Sequence, residues 1–245
     1  MKAVALLSAG VHPRSGAAMP VPVELQAIAL ARRLGCEVAG VHAGQGGPAI
    51  VDCFGHGLGE IVSLRIGDGD DPLAAIAGEI AVQKPDLVLA GRRGQGGADT
   101  GMLPYLLAHA CGMAIAADAV GLAVAADGLA VVQALPRGGR RRLVVRLPAV
   151  VTVHESAPPA LPFVYRDRLL GRLVETAGVA VAAPAFEFEA RPYRRRPKLI
   201  GESAGSAEAR LRAATEQKSA GGKLMVNPEP AEAARAILDF LKKFR

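Results

Sequence analysis

Three observations in the sequence predict an α/β protein built on a mostly parallel, doubly wound sheet with an antiparallel edge, followed by a C-terminal extended arm plus helix. Short apolar runs alternate with helical segments as far as Gly112, at intervals of roughly 25 to 40 residues, the rhythm of strand–helix–strand units. Hydrophobic residues make up 51% of the chain and aromatic residues only 4%, so the apolar mass is largely Ala, Val and Leu, which lets helices lie close on a sheet buried on both faces. From Ile115 the texture changes to longer β-rich runs joined by the turns Asp127-Gly128 and Gly138-Gly139, which favours antiparallel pairing.

The elements follow in order. "MKAVALL" reads as a buried strand, and "SAGVHPRSGAAMPVP" after it as a polar, proline-containing loop. In "VELQAIALARRLG", Leu25, Ile28, Ala29 and Leu34 share one helical face, and Gly35 stands where the helix ends. "CEVAGVHAG" is a second strand running into a glycine-rich loop, and "GEIVSLRI" a third. Asp71 and Pro72 supply an N-cap and a first-turn proline for the helix "LAAIAGEIAVQK", which stops before Pro85. "DLVLAG" is a fourth buried strand, "LPYLLAHACG" a helix closed by Gly112, and "RRRLVVRLPAVVTV" continues the antiparallel region. "HESAPPALPFVYRDRLLGR" begins as a loop and becomes a helix. Residues 178–222 read as the arm, and the tail as a helix capped by Asn227 with Ile237, Leu238, Leu241 and Phe244 in an apolar stripe. The division expected is a domain over 1–177 and an arm with terminal helix over 178–245.

Charge narrows the function classes. A net charge of +6 permits attraction to any polyanion, but Arg140 to Arg142 and Arg194 to Arg196 do not alternate with the aromatic side chains that stack on single-stranded bases. They read as solvated surface, and no nucleic-acid partner is expected. The longest apolar region, Met113 to Val132, is broken by Asp118 and Asp127, so the chain is not expected to be membrane-embedded. Three widely spaced cysteines without a signal-like start fit a reducing, cytoplasmic setting.

In open α/β sheets ligands bind outside the carboxyl ends of the strands, where loops diverge. The loops there are "SAG", "HAGQGG" and "GRRGQGGADTG", all glycine-bearing, and glycine lets backbone N–H groups approach an anion beside a helix start. From spacing alone this is either a phosphate cradle or a set of flexible turns. The first turn lacks the dinucleotide fingerprint, and no Gly-Lys-Ser/Thr phosphate loop occurs. Cys53 and His56 are an isolated pair without a second ligand pair at zinc spacing, there is no serine nucleophile elbow, and the five histidines are scattered. No catalytic constellation is expected. His42, at a strand end, reads as a pocket or structural histidine.

"DPLAAIAGEIAVQKPDLVLAGRRGQGGADTGMLPYLLAHACGM" and "LAVAADGLAVVQALPRGGRRRLVVRLPAVVTVHESAPPALPFV" together resemble the β subunit of electron-transfer flavoproteins. In that family a strand ending in Ala-Gly-Arg leads through a glycine and aspartate loop to Asp-Thr-Gly, and a paired-strand region reaches Leu-Pro-Ala-x-Val-Thr-Val and then a Leu-Pro loop. The resemblance is strongest over residues 71–165. "HESAPPA" stands where the family has Asn-Glu-Pro-Arg-Tyr, which marks a divergent paralogue.

The resemblance implies a nucleotide-binding fold and one half of a heterodimer. In it FAD sits mainly on the alpha subunit and the beta subunit holds AMP as a structural ligand. Electrons pass from a flavin-dependent dehydrogenase to a membrane quinone oxidoreductase, so the chain is a carrier rather than an enzyme. The resemblance places Gly97, Asp99, Thr100 and Gly101 on the motif of the loop that holds the AMP phosphate, with Asp99 orienting the loop or the sugar rather than touching phosphate, Gly91 as a further cofactor-binding residue, and Ser8, Ala9 and Val41 lining the adenosine pocket. Leu161 and Pro162 match the loop that docks the dehydrogenase. Two other readings stand beside this one. A bifurcating-type β subunit would hold its own FAD in place of AMP, and an ATP-using enzyme of the PP-loop kind would need a Ser-Gly-Gly-x-Asp-Ser turn where this chain has "SAGVHPRSG".

Overall fold

A computed structural model describes residues 1–94, 100–182, 206, 225–226 and 228–242. The chain forms two compact units, Met1–Glu187 and Phe188–Arg245. In the first, β1 (Lys2–Leu7), a hairpin of β2 (Ala9–Val11) and β3 (Ala18–Pro20), α1 (Pro22–Arg33) and β4 (Glu37–Ala43) come first. Then follow α2 (Pro48–Asp52), a 3-10 turn (Cys53–His56), β5 (Glu60–Arg65), α3 (Pro72–Gln83), β6 (Leu87–Gly91) and α4 (Leu103–Ala110). β7 (Ala114–Ala125), β8 (Gly128–Ala134), β9 (Arg140–Val145), β10 (Ala149–Val153), α5 (Tyr165–Leu170) and β11 (Arg172–Ala177) complete it.

Among the described residues the main sheet has nine strands in the order β11-β5-β4-β1-β6-β10-β7-β8-β9. Every neighbouring pair from β11 to β7 is parallel, and β8 and β9 extend the sheet antiparallel. The doubly wound reading holds at the level of single residues. In β1, Ala3, Ala5 and Leu7 enter one core cluster with Leu25 and Ile28 of α1, while Val4 and Leu6 enter another with Ile76 and Ile80 of α3 and Leu107 of α4. Successive side chains point to opposite faces, and both faces are covered. That is why β6 and β10 are buried at every position and carry no polar alternation.

Local signals set the helix ends. The Asp71 carboxylate accepts the Leu73 N–H at 2.9 Å, capping α3 behind Pro72. Gly35, at φ +78°, closes α1, and the Cys36 N–H reaches back to the Ala31 carbonyl.

Four parts of the chain differ from the sequence expectation. The loop after β1 contains the β2–β3 hairpin, and the loop after β4 contains α2 and the 3-10 turn. β10 does not continue the antiparallel edge; it returns to the sheet interior, parallel to both β6 and β7, where its five apolar or hydroxyl side chains are all buried. The helix read over "YRDRLLGR" ends at Leu170, and Arg172–Ala177 pairs with β5 as an edge strand. That strand is largely exposed, so it lacks the apolar pattern that announces the inner ones. The Arg172 guanidinium lies opposite Glu60 and hydrogen-bonds it across the pair.

In the second unit the described helix is α6 (Pro230–Lys242), with Ile237, Leu238, Phe240 and Leu241 exposed. Asn227 and Phe244 lie outside the described residues.

Candidate functional site

From β1 the chain winds to β4 and β5 on one side, then crosses over to place β6 on the other side of β1. The β1/β6 seam is therefore the point where strand order reverses, the place at whose carboxyl ends sheets of this kind form a ligand crevice. The residues that leave the two strands are Ser8 and Gly91 with its successors.

The Ser8 N–H donates to Glu24 Oε2 at 2.7 Å, and the Ser8 hydroxyl is hydrogen-bonded to Glu24 Oε1. Glu24 stands in the first turn of α1 and is 3% exposed. Burial pushes its carboxyl up to about 8, against the opposing pull of the two bonds from Ser8. Gly91 is required by close approach: a Cβ there would lie 3.1 Å from the Arg93 carbonyl oxygen and 3.3 Å from Glu24 Cγ. A Cβ on Gly94 would lie 3.7 Å from Ser8 Oγ, so the loop leaving β6 bends over the end of β1.

The same loop returns at α4. Gly101 has φ +71°, and a Cβ on it would lie 3.0 Å from the Arg92 carbonyl oxygen, so both conformation and space call for glycine. Thr100 Oγ accepts the Met102 N–H at 3.2 Å at the entry to α4. Gly91, Gly94 and Gly101 thus flank the loop, which leads into a helix start, where unpaired N–H groups and the helix dipole favour an anion. Gly97 and Asp99 lie outside the described residues.

The remaining predicted residues spread along the same edge. Ala9 begins β2 and is half-buried; Val41, paired with Leu6, is fully buried in the core on the α3 and α4 side. Next to it, His42 Nδ1 donates to the Leu7 carbonyl at 3.0 Å, which fixes the proton on that nitrogen. Its Nε2 is buried and has no hydrogen-bond partner among the described residues.

Two participants were missed in the sequence. Glu24 carries one available signal, an acidic residue beside Leu25 on the buried face of a helix. Asp118 has φ +54° at the β7 irregularity, donates its N–H to Thr152 Oγ at 2.9 Å, and through Oδ1 meets Arg92 Nε at 3.4 Å. Arg92 is therefore held on this edge by an ion pair rather than offered as part of a basic patch.

Leu161 and Pro162 lie elsewhere, above the 3-10 turn. Leu161 is half-buried, with its Cδ1 2.9 Å from where a Gly57 Cβ would be, and its carbonyl accepts from His56 Nδ1 at 2.8 Å. Phe163 sits over Gly55, edge-on to the His56 ring at 5.4 Å and 64°. Arg168 Nε binds Asp52 Oδ1 at 2.6 Å and ties α5 to α2. The outer surface is left apolar: Tyr165, Leu169 and Leu170 are each more than 60% exposed. The Cys53 thiol is buried, pushed up to about 12, and donates to the Ala49 carbonyl, while His56 is turned toward Leu161, so the pair forms no metal centre. Among the described residues no group of three metal-ligating side chains occurs, and no helix is long and apolar enough to cross a membrane.

The electron transfer flavoprotein domain family matches residues 11–184 of this chain. The electron transfer flavoprotein subunit beta of Chromohalobacter salexigens is 34% identical over 251 aligned residues, covering 99% of this chain and 94% of that subunit. The chain belongs to the electron transfer flavoprotein β-subunit family. An electron transfer flavoprotein β subunit is an electron carrier rather than a conventional enzyme. The family also implies a flavin in the complex and an electron transfer flavoprotein α partner.

Proposed function

We propose that this β subunit binds AMP structurally at the β1/β6 crevice and docks a flavin dehydrogenase, so that electrons pass through FAD held mainly by the α subunit. The observation that carries the reading is the cradle at the switch point. Ser8, Gly91, Gly94 and Gly101 let backbone approach backbone, and the loop delivers a ligand phosphate to the start of α4. These residues fit AMP: the glycines leave the space a phosphate needs, Thr100 Oγ offers a hydroxyl, and Ser8 stands where the adenosine would begin. Gly97 and Asp99 complete the loop. Ala9 and Val41 belong to the adenosine side.

The flavin, when bound, supplies the one-electron chemistry, and the protein supplies position and environment. This chain's part is docking. The Leu161-Pro162 segment and α5 present an apolar surface stiffened by Arg168–Asp52 and by Phe163 over Gly55, the kind of anchor that a dehydrogenase pocket would bury. Residues 178–245, with the apolar stripe of α6, pack on the α subunit, and a membrane quinone oxidoreductase takes the electrons onward. The setting is cytoplasmic.

The test is flavin reduction in the co-purified pair. A cognate dehydrogenase with its substrate bleaches the flavin absorbance of the heterodimer, and Leu169→Ser with Leu170→Ser raises the KM for the heterodimer without changing its flavin content. A pair that carries no flavin, or one that no dehydrogenase reduces, contradicts the proposal.

A further inference from the structure

Glu24 lies beneath the crevice almost without solvent contact, and the function proposed above makes no use of it. Its carboxyl group joins three elements. It belongs to the first turn of α1, it meets both the N–H and the hydroxyl of Ser8 at the end of β1, and its Cγ fills the space that Gly91 leaves at the end of β6. Gly94 brings the loop within van der Waals reach of that same Ser8. A buried acid placed so is costly unless its oxygens are matched, and Ser8 matches both.

The two protonation states of this group are not equivalent for a ligand above it. Ionised, Glu24 is an acceptor only: it takes the N–H and the hydroxyl hydrogen of Ser8 and puts a negative charge under the crevice. Protonated, one oxygen still accepts the Ser8 N–H while the other donates its hydrogen to Ser8 Oγ, and the floor is neutral. Burial favours the protonated form.

We propose that Glu24 is a positioning residue for the nucleotide: its neutral carboxyl holds the Ser8 turn and keeps the crevice floor uncharged, so that a ligand phosphate is retained only while Glu24 keeps its proton. The inference rests on the nucleotide reading given above. Helix α1 packs against β1, β4, β6, β7, β10 and the 3-10 turn. The charged or titratable groups on or next to those elements are the Met1 amino group, Lys2, Cys36, Glu37, His42, Asp52, Cys53, His56, Asp86, Arg92, Arg93, Asp118 and His154, with Arg32 and Arg33 on α1 itself. Arg92 and Asp118 pair with each other, and the Cys53 thiol, raised first by burial and next by the charge of Glu24, stays protonated until about 12. A pH response carried by any of these groups survives Glu24→Gln, whereas one carried by Glu24 does not.

The experiment is calorimetric titration of AMP into nucleotide-stripped heterodimer between pH 7 and 9.5, a range in which the AMP phosphate remains a dianion. The wild type is expected to lose about thirtyfold in affinity across that range, the loss for a site that binds with one group protonated up to about 8. Glu24→Gln, whose amide accepts the Ser8 N–H and donates to Ser8 Oγ without charge, is expected to bind like wild type at pH 7 and to vary less than about twofold. Glu24→Ala is expected to bind weakly at every pH. A flat wild-type profile overturns the proposal, as does Glu24→Gln following the wild-type decline or binding as weakly as Glu24→Ala at pH 7. If Glu24→Gln gives no folded pair, the wild-type profile decides alone. Wild type that binds no AMP at any pH overturns the nucleotide reading and the role of Glu24 with it, a result distinct from a flat profile with AMP bound.

Discussion

Replacing Glu24 by Gln should stabilise the protein progressively as the pH rises. In the folded chain burial pushes this carboxyl from 4.5 up to about 8. The sign follows from proton counting. Between those values the folded state keeps a proton that the unfolded state has released, so stability falls as pH rises. The contribution is fully present below about pH 4.5 and is lost as pH climbs to the folded value near 8. At about 1.4 kcal/mol for each tenfold change in proton affinity, the full interval is worth about 5 kcal/mol. Between pH 6 and 8 the loss is roughly 2 to 3 kcal/mol. Glutamine keeps the hydrogen-bond pattern to Ser8 and does not titrate. Its advantage over wild type should therefore grow by roughly 5 to 10 °C in Tm across that window, since 1 kcal/mol moves a chain of this size by about 2 to 4 °C. Thermal unfolding of wild-type and Glu24→Gln heterodimers in parallel buffers, without added nucleotide, measures it. A Tm difference that is constant with pH, or that shrinks as pH rises, refutes the reasoning.

Other consequences are accessible with single substitutions. Gly101→Val places a branched side chain at φ +71° against the Arg92 carbonyl and should abolish nucleotide retention, read as adenine nucleotide per heterodimer after denaturation, while flavin content is kept. Gly55→Val puts its Cβ into the space of the Phe163 ring, which must be expelled; overpacking of this kind costs about 1 to 3 kcal/mol, and the variant should lose dehydrogenase coupling while AMP content stays unchanged. Asp118→Asn should weaken the hold on Arg92 but leave the Asp118 N–H bond to Thr152 in place, so little change in Tm is expected in thermal unfolding. Filter binding with single-stranded and duplex DNA should show no specific complex, only weak attraction that falls steeply with salt.

The parts of the fold legible in the sequence are those whose signal is local. β1, β6 and β10 are continuous apolar runs because both faces of the sheet are covered, and the Asp71-Pro72 cap is written in two adjacent residues. What escaped depends on distant partners. β11 is an exposed edge strand whose pairing comes from β5, more than a hundred positions earlier, and β10 takes its place between β6 and β7 through register that no turn residue encodes. At the proposed site, Gly91 and Gly101 were legible because each is needed by its own backbone, for close approach or a positive φ. Glu24 did not announce itself, because its meaning comes from Ser8, sixteen positions earlier, and from the space above Gly91. Asp118 looked only like a break in an apolar run; its role is set by a left-handed backbone and by Arg92 across the sheet edge.

The measurement that tests the central claim most directly is the nucleotide count of the purified heterodimer, released by denaturation and separated by chromatography. The account predicts one FAD and one AMP per pair. Two FAD and no AMP would assign the crevice to a second flavin, the bifurcating arrangement, and one FAD with no adenine nucleotide besides it would contradict the site built on Ser8, Gly91 and Gly101.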